Sequence, residues 1–282
     1  KIFIDLTRLN KPIGFMLLFW PCSWGLSLSY IYNQDFYIYF YYLSLFFLGS
    51  VLMRSAGCIV NDIVDQDLDR KVKRTKKRPL ASKKISLKKC LIYILCLCLS
   101  AFLILIQFNF LTIILGMGSM LLAFSYPFMK RITYWPQLFL GLTFNWGVIM
   151  SWTAVNGYVS LEIIVLYISA IFWTLGYDTI YGAQDMKDDE IIGVKSTAIK
   201  FKKNIKFFVA TSYSITCFIL IYLFNEKVGL NIFTILLFFF ILTLIYQVIK
   251  FDKSKSKQSL TLFKLNNVSG LVLFLSINSI NF

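Results

Sequence analysis

Residues 36–69 read FYIYFYYLSLFFLGSVLMRSAGCIVNDIVDQDLD, and this stretch decides the fold. Its first part, Phe36–Cys58, is an apolar run of about the 20 residues that a helix needs to cross a bilayer core. Asn61, Asp62, Asp65, Asp67 and Asp69 follow directly, so the span delivers a row of carboxylates to one membrane boundary. Inside the run stands one charge, Arg54. A guanidinium at that depth is costly unless paired, which marks it as functional.

Eight further apolar runs surround this one, at approximately Pro12–Tyr32, Cys90–Gln107, Phe110–Phe128, Gln137–Val155, Leu161–Tyr181, Phe207–Phe224, Leu230–Ile249 and Leu262–Ile280. The composition agrees: 58% of residues are apolar and 15% charged, too few charges to cover a water-soluble body of 282 residues. The expected fold is all-α, a polytopic membrane protein of about nine transmembrane helices forming a single domain over 1–282.

Connections between the runs alternate. Short, nearly uncharged turns such as Asn33–Asp35 and Asn156–Gly157 follow the odd spans, while all but Arg54 and Lys227 of the 29 basic residues sit in the N-terminal segment and the even connections. By the positive-inside rule this places the N-terminus in the cytoplasm and the C-terminus outside. The net charge of +15 is thereby topological, and no nucleic-acid partner is expected. The segment 251–258 reads as a basic polar loop in water or against anionic headgroups. Arg8 and Lys11 stand directly before a full-length span with no small-residue cleavage site after it, so no signal peptide is expected. The six cysteines show no CxxC spacing, which indicates neither zinc nor a disulfide framework. Histidine is absent, which leaves carboxylates, Lys, Arg and Tyr as the chemical groups.

Nine of the fourteen acidic residues fall in two clusters, Asp62–Asp69 and Asp178, Asp185, Asp188, Asp189 and Glu190. Each follows an even span, so both reach the same boundary, in cytoplasmic segments 61–89 and 182–206. On a continuous helix Asp62, Asp65 and Asp69 lie within about 60° of one another, with Asp67 elsewhere. Asp178, Asp185, Asp188 and Asp189 likewise share a face. Two facing carboxylate rows repel unless a cation joins them, and hard oxygen donors suit Mg²⁺ shared with substrate phosphates. An EF-hand is excluded: Arg70 stands where the loop needs Gly, and Lys76 where it needs Glu.

Basic residues near these rows are the natural diphosphate partners. Arg54 lies one heptad before Asn61, Lys130 and Arg131 end the fourth span on the same side, and Arg74, Arg78 and Lys195 follow the two clusters.

These residues resemble a known family. Asn61-Asp62-x-x-Asp65-x-x-x-Asp69, with Lys73-Arg74-Thr75 and Arg78-Pro79-Leu80-Ala81-Ser82, is similar to the first signature of the UbiA-type intramembrane prenyltransferases. Tyr177-Asp178-Thr179-Ile180-Tyr181, Gln184-Asp185-x-x-x-Asp189 and Gly193-x-Lys195-Ser196-Thr197-Ala198 are similar to the second. Arg8-Leu-x-Lys11-Pro12-Ile-Gly14, Met53-Arg54-x-x-Gly57-Cys58 and Tyr126-Pro127-x-x-Lys130-Arg131 resemble the 4-hydroxybenzoate polyprenyltransferase branch. Gln66 replaces the family's usual Arg, and Lys83 its usual Gly.

The resemblance implies Mg²⁺ held by Asn61, Asp65, Asp69, Asp185 and Asp189, with the four aspartates catalytic. Arg54, Asn61, Arg74, Lys130, Arg131, Asp178, Tyr181 and Lys195 would bind substrate. It further implies transfer of a polyprenyl group from its diphosphate to an aromatic acid for ubiquinone synthesis, in the inner (plasma) membrane of a bacterium with the site at the cytoplasmic face. Two other readings stand beside it. One is an acceptor of naphthoate, haem, chlorophyllide or glycerol phosphate type. The other is a transporter, against which speaks the clustering of charge at one boundary and not at the midplane.

Overall fold

The computed structural model describes residues 1–72 and 75–281. Its helices, in chain order, are α1 (Ile2–Thr7), α2 (Ile13–Asn33), α3 (Phe36–Val64), α4 (Gln66–Lys71), α5 (Leu87–Leu105), α6 (Phe110–Ile132), α7 (Pro136–Asn156), α8 (Leu161–Gly182), α9 (Met186–Ile191), α10 (Thr197–Lys200), α11 (Ile205–Leu223), α12 (Ile232–Lys250) and α13 (Ser256–Asn278). Among the described residues nine of these, α2, α3, α5–α8 and α11–α13, are long and apolar enough to cross a membrane. The nine expected spans are therefore all present.

Side-chain caps explain the sharp ends on one side of the bundle. Asp35, Asn109, Ser160 and Asn231 each accept a hydrogen bond from a backbone N–H three residues on, satisfying donors that hydrocarbon cannot. These are the short turns between spans.

Two ends differ from expectation. α3 continues to Val64, beyond Cys58, because Asp62 is paired with Arg8 of the α1 region and can stay helical while buried. α13 begins at Ser256, six residues before Leu262, so the polar loop after α12 is shorter than 251–258. Its first turns keep Lys257 and Lys264 largely at the surface while Ser259 and Leu262 face inward.

Packing closes the spans into a ring in which α2 touches α3, α7 and α13, α7 continues to α8, and α8 to α11. α8 is the most enclosed span and α5 the least. Leu121 and Phe218, about three-quarters exposed, are lipid contacts rather than defects. The interior is tied by indoles: Trp24 donates to the Gly270 carbonyl at 3.0 Å and Trp173 to Asn266 at 3.0 Å, with ring centroids 4.9 Å apart. Asn266 also bonds Gln247, which accepts from Tyr213 at 2.8 Å, so α8, α11, α12 and α13 share one satisfied buried network. α2 meets α7 so closely at Gly25 that a Cβ there would collide with the Val148 carbonyl.

Candidate active site

α3 does not run through its carboxylates. It ends at Val64, Asp65 takes φ −96° and ψ 6°, and α4 starts at Gln66. The single continuous helix expected for Asp62, Asp65 and Asp69 is thus broken, because a charge cluster gains more from turning back to its partners than from helix continuation. Convergence survives by another route. One Arg78 nitrogen lies 3.2 Å from Asp62 and 2.7 Å from Asp69, and Arg8 reaches the same Asp62 oxygen at 2.5 Å. All three carboxylates are nearly inaccessible, whereas Asp67 points out into solvent and pairs with Arg70 at 3.1 Å.

The second row is broken likewise. α8 stops at Gly182, and Asp185 and Asp189 belong to the short α9 region, so Asp178 does not share a continuous helix with them. Asp178 lies deeper, within the electrostatic reach of Arg54. Asp188 is exposed and Asp189 half-buried.

Basic residues predicted from the sequence divide into three groups. Lys130 and Arg131, at the end of α6, do reach the first row: Lys130 is ion-paired and hydrogen-bonded to Asp65, while Arg131 donates to the Val64 carbonyl at 2.5 Å and lies 3.8 Å from Asp65. Lys195 instead donates to the Ile132 carbonyl at 3.0 Å, beside Tyr134, and its backbone N–H binds Lys130 O at 2.8 Å. It stitches the second acidic segment to the end of α6. Arg78 is occupied by aspartates. Arg74 lies outside the described residues.

Arg54 stands apart. Its Nε is buried with no hydrogen-bond partner, and its guanidinium sits 5.3 Å from the Phe144 ring centroid. Gly14 lies directly against it, and a Cβ there would come within 2.8 Å of Nε and push the guanidinium aside. Arg54, Asn61 and Tyr126 form the polar end of a cavity of about 420 Å³ bounded by α2, α3, α5, α6 and α7. The rest of its wall is mostly apolar, interrupted by Ser50, Ser119 and Thr143, and reaches Leu95 and Leu99, whose outer surfaces are exposed on the lipid side of α5. Tyr181 does not line this cavity; its ring packs at a tilt against Phe263, with centroids 4.4 Å apart.

Asp65 Oδ1 and Asp62 Oδ2 are buried and accept no hydrogen bond. Burial pushes the Asp65 carboxyl above its ordinary range, opposed by the Lys130 ammonium. Unsatisfied hard oxygens of this kind suit a divalent cation. Among the described residues no three carboxylates converge tightly enough to enclose a metal alone. Mg²⁺ usually takes only one or two protein carboxylates and completes its shell with water and phosphate, so the donor set fits it.

The clamp made by Arg8, Asp62 and Arg78 was not foreseen. Arg8 and Asp62 are 54 residues apart, and no spacing rule connects them.

The chain matches the UbiA prenyltransferase family over residues 18–268 and belongs to it. It is 48% identical over 205 residues to the mitochondrial 4-hydroxybenzoate polyprenyltransferase of Arabidopsis thaliana, covering 72% of this chain and 50% of the relative. The Homo sapiens protein of the same name is 47% identical over 205 residues, 72% of this chain and 55% of the relative. The chain thus spans about half the length of these curated relatives. Its fold is shared with a UbiA homolog from Aeropyrum pernix K1, with a TM-score of 0.78, 24% identity, and coverage of 94% and 97% of the two chains. A UbiA homolog from Archaeoglobus fulgidus, solved with GPP and Mg²⁺, gives a TM-score of 0.72 at 15% identity, covering 99% and 100%. One expectation is overturned. These relatives are mitochondrial proteins of eukaryotes, so the plasma membrane of a bacterium is not supported, although the multi-pass membrane character is.

Proposed function

We propose that this chain transfers a polyprenyl group from polyprenyl diphosphate to the ring of 4-hydroxybenzoate, a step in ubiquinone synthesis. The observation that carries the reading is the cavity of about 420 Å³, mostly apolar along its length and ending at Arg54, Asn61 and Tyr126 beside the buried aspartates. A prenyl tail has the chemistry of that wall, and the aspartates beside its end, with Lys130 and Arg131, offer the place for a metal-bound diphosphate. The names of the curated relatives supply the acceptor.

In this reading Asn61, Asp65, Asp69, Asp185 and Asp189 hold Mg²⁺ against the donor diphosphate. The metal, when bound, supplies positive charge that stabilises the leaving group. Lys130 and Arg131 add cationic charge on the same side and keep Asp65 aimed inward. The allylic C–O bond breaks, diphosphate leaves with the electron pair, the acceptor ring attacks the carbocation, and the ring then loses its proton to the released diphosphate. Phe144 and Tyr126, lining the cavity near Arg54, present aromatic faces to the cation and exclude water.

Purified protein supplied with polyprenyl diphosphate and Mg²⁺ is expected to prenylate 4-hydroxybenzoate in preference to a naphthoate or a glycerol phosphate acceptor. Turnover of only one of the latter overturns the acceptor assignment, and no turnover with any of them overturns the activity.

Arg54 is assigned to the acceptor's carboxylate, which would satisfy its unpartnered Nε. Lysine cannot reproduce the guanidinium fork. Arg54→Lys is therefore expected to raise KM for 4-hydroxybenzoate roughly ten- to a hundredfold, matching the ~1.5–3 kcal/mol of a charged hydrogen bond. KM for the prenyl diphosphate should stay nearly constant. The mirror result would move Arg54 to the donor.

The orientation proposed from charge puts the acidic segments and the N-terminus on the positive-inside face. In a cysteine-free background, a cysteine at Lys83 or Lys200 should resist an impermeant reagent until the membrane is opened. Labelling of either one in sealed membranes overturns that orientation.

A further inference from the structure

A second cavity, of about 490 Å³, lies between α4, the 78–86 segment and the start of α5, and the proposed reaction makes no use of it. Its cations are Arg70, Lys83, Lys84 and Lys89. Arg70 is partly neutralised by Asp67. Among the described residues no ion pair reaches the three lysines.

Lys83 adds an independent observation. It adopts φ 58°, a left-handed conformation that disfavours any residue bearing a Cβ and suits glycine. A lysine in that conformation, with its side chain exposed at the cavity, points to a use for its charge.

The cavity differs from the catalytic one. α4 presents Gln66 and Arg70 to it, whereas Asp65 and Asp69 engage Lys130 and Arg78. Arg54, Asn61 and Tyr126 do not line it.

Its other wall is apolar and stands at the membrane boundary. Leu87 opens a span, and Leu87, Leu91 and Leu95, four residues apart, form an exposed stripe along α5. Ile2 of α1, also exposed, flanks the opening. A ligand matching this arrangement carries negative charge at one end and hydrocarbon at the other.

We propose that this cavity binds the phosphate headgroup of an anionic membrane phospholipid, whose acyl chain lies along the leucine stripe of α5. Lys83, Lys84 and Lys89 receive the phosphate oxygens. Juxtamembrane lysines of this kind each contribute meaningfully to anionic lipid binding.

Native mass spectrometry of the purified full chain tests this with two probes, palmitoyl-oleoyl phosphatidylglycerol and phosphatidylcholine. Phosphatidylglycerol should bind more tightly, and the triple variant Lys83→Gln, Lys84→Gln, Lys89→Gln should weaken it roughly hundredfold. The control triple Lys203→Gln, Lys227→Gln, Lys250→Gln, at exposed lysines that do not line the cavity, should leave it nearly unchanged. Lys83→Gly separates binding from folding. It relieves the left-handed strain, so the melting temperature should not fall, yet binding should weaken about fivefold. Equal binding of the two lipids overturns the proposal, as does an equal loss in the control triple. Displacement of the lipid by millimolar inorganic phosphate would show a free-anion site and overturn it as well.

Discussion

Asp65→Ala and Asp69→Ala are each expected to abolish prenyl transfer, by on the order of a thousandfold or more, while the protein still inserts and purifies as a folded monodisperse species. The magnitude follows from losing preorganised stabilisation of a leaving group in a water-poor site. Asp185→Ala and Asp189→Ala should do the same from the second segment. Wild-type activity should vanish in EDTA and return with added Mg²⁺. The measurement is product formation per folded protein, with elution volume from size exclusion as the folding check. Near-wild-type turnover in any two of these variants would remove the metal assignment. Asp65 is the most informative of the four, because it is buried, carries an unsatisfied oxygen and is already oriented by Lys130.

Asp62→Ala should show the largest effect on stability. Asp62 is 2% exposed and receives both Arg8 and Arg78. Removing it takes the carboxylate from Arg8 and leaves Arg78 held by Asp69 alone. Breaking a fully buried pair costs about 3–5 kcal/mol, and with the arginines partly exposed about 2–4 kcal/mol is expected here. Asp67→Ala is the internal comparison. Its pair with Arg70 lies in solvent, where such contacts contribute about 0–1 kcal/mol. Thermal unfolding in detergent reads both. If Asp62→Ala melts no lower than Asp67→Ala, the clamp does not hold α1 and the 78–86 segment against α3.

The two acidic rows teach a shared lesson. Helical spacing correctly separated Asp67 from Asp62, Asp65 and Asp69, yet the geometry it assumed is absent, because Asp65 and the stretch Ala183–Asp185 interrupt the helices. Asp62 and Asp69 meet at Arg78 and Asp65 is held by Lys130, cations that arrive from other elements. Lys195 shows the converse. Its place after an acidic motif suggested a phosphate ligand, but the carbonyl of Ile132 lies within its reach, and it binds there.

The sequence by itself determined the number and approximate limits of the spans, since hydrocarbon admits only segments that are apolar and internally hydrogen-bonded. It also placed most of the charged chemistry at a few segment ends and left Arg54 as the exception inside a span, because charge is expelled from spans unless it is used. Arg54 was legible for that reason. Tertiary structure alone decided which cation neutralises which aspartate, how the apolar cavity runs from Arg54 to the lipid side of α5, and that Lys83, Lys84 and Lys89 border a cavity separate from the aspartates. Such pairings join residues tens of positions apart, as Arg8 and Asp62 do, and are set by how the helices pack around the ring. Local sequence periodicity carries no record of that packing, since a helix knows its own faces but not its neighbours.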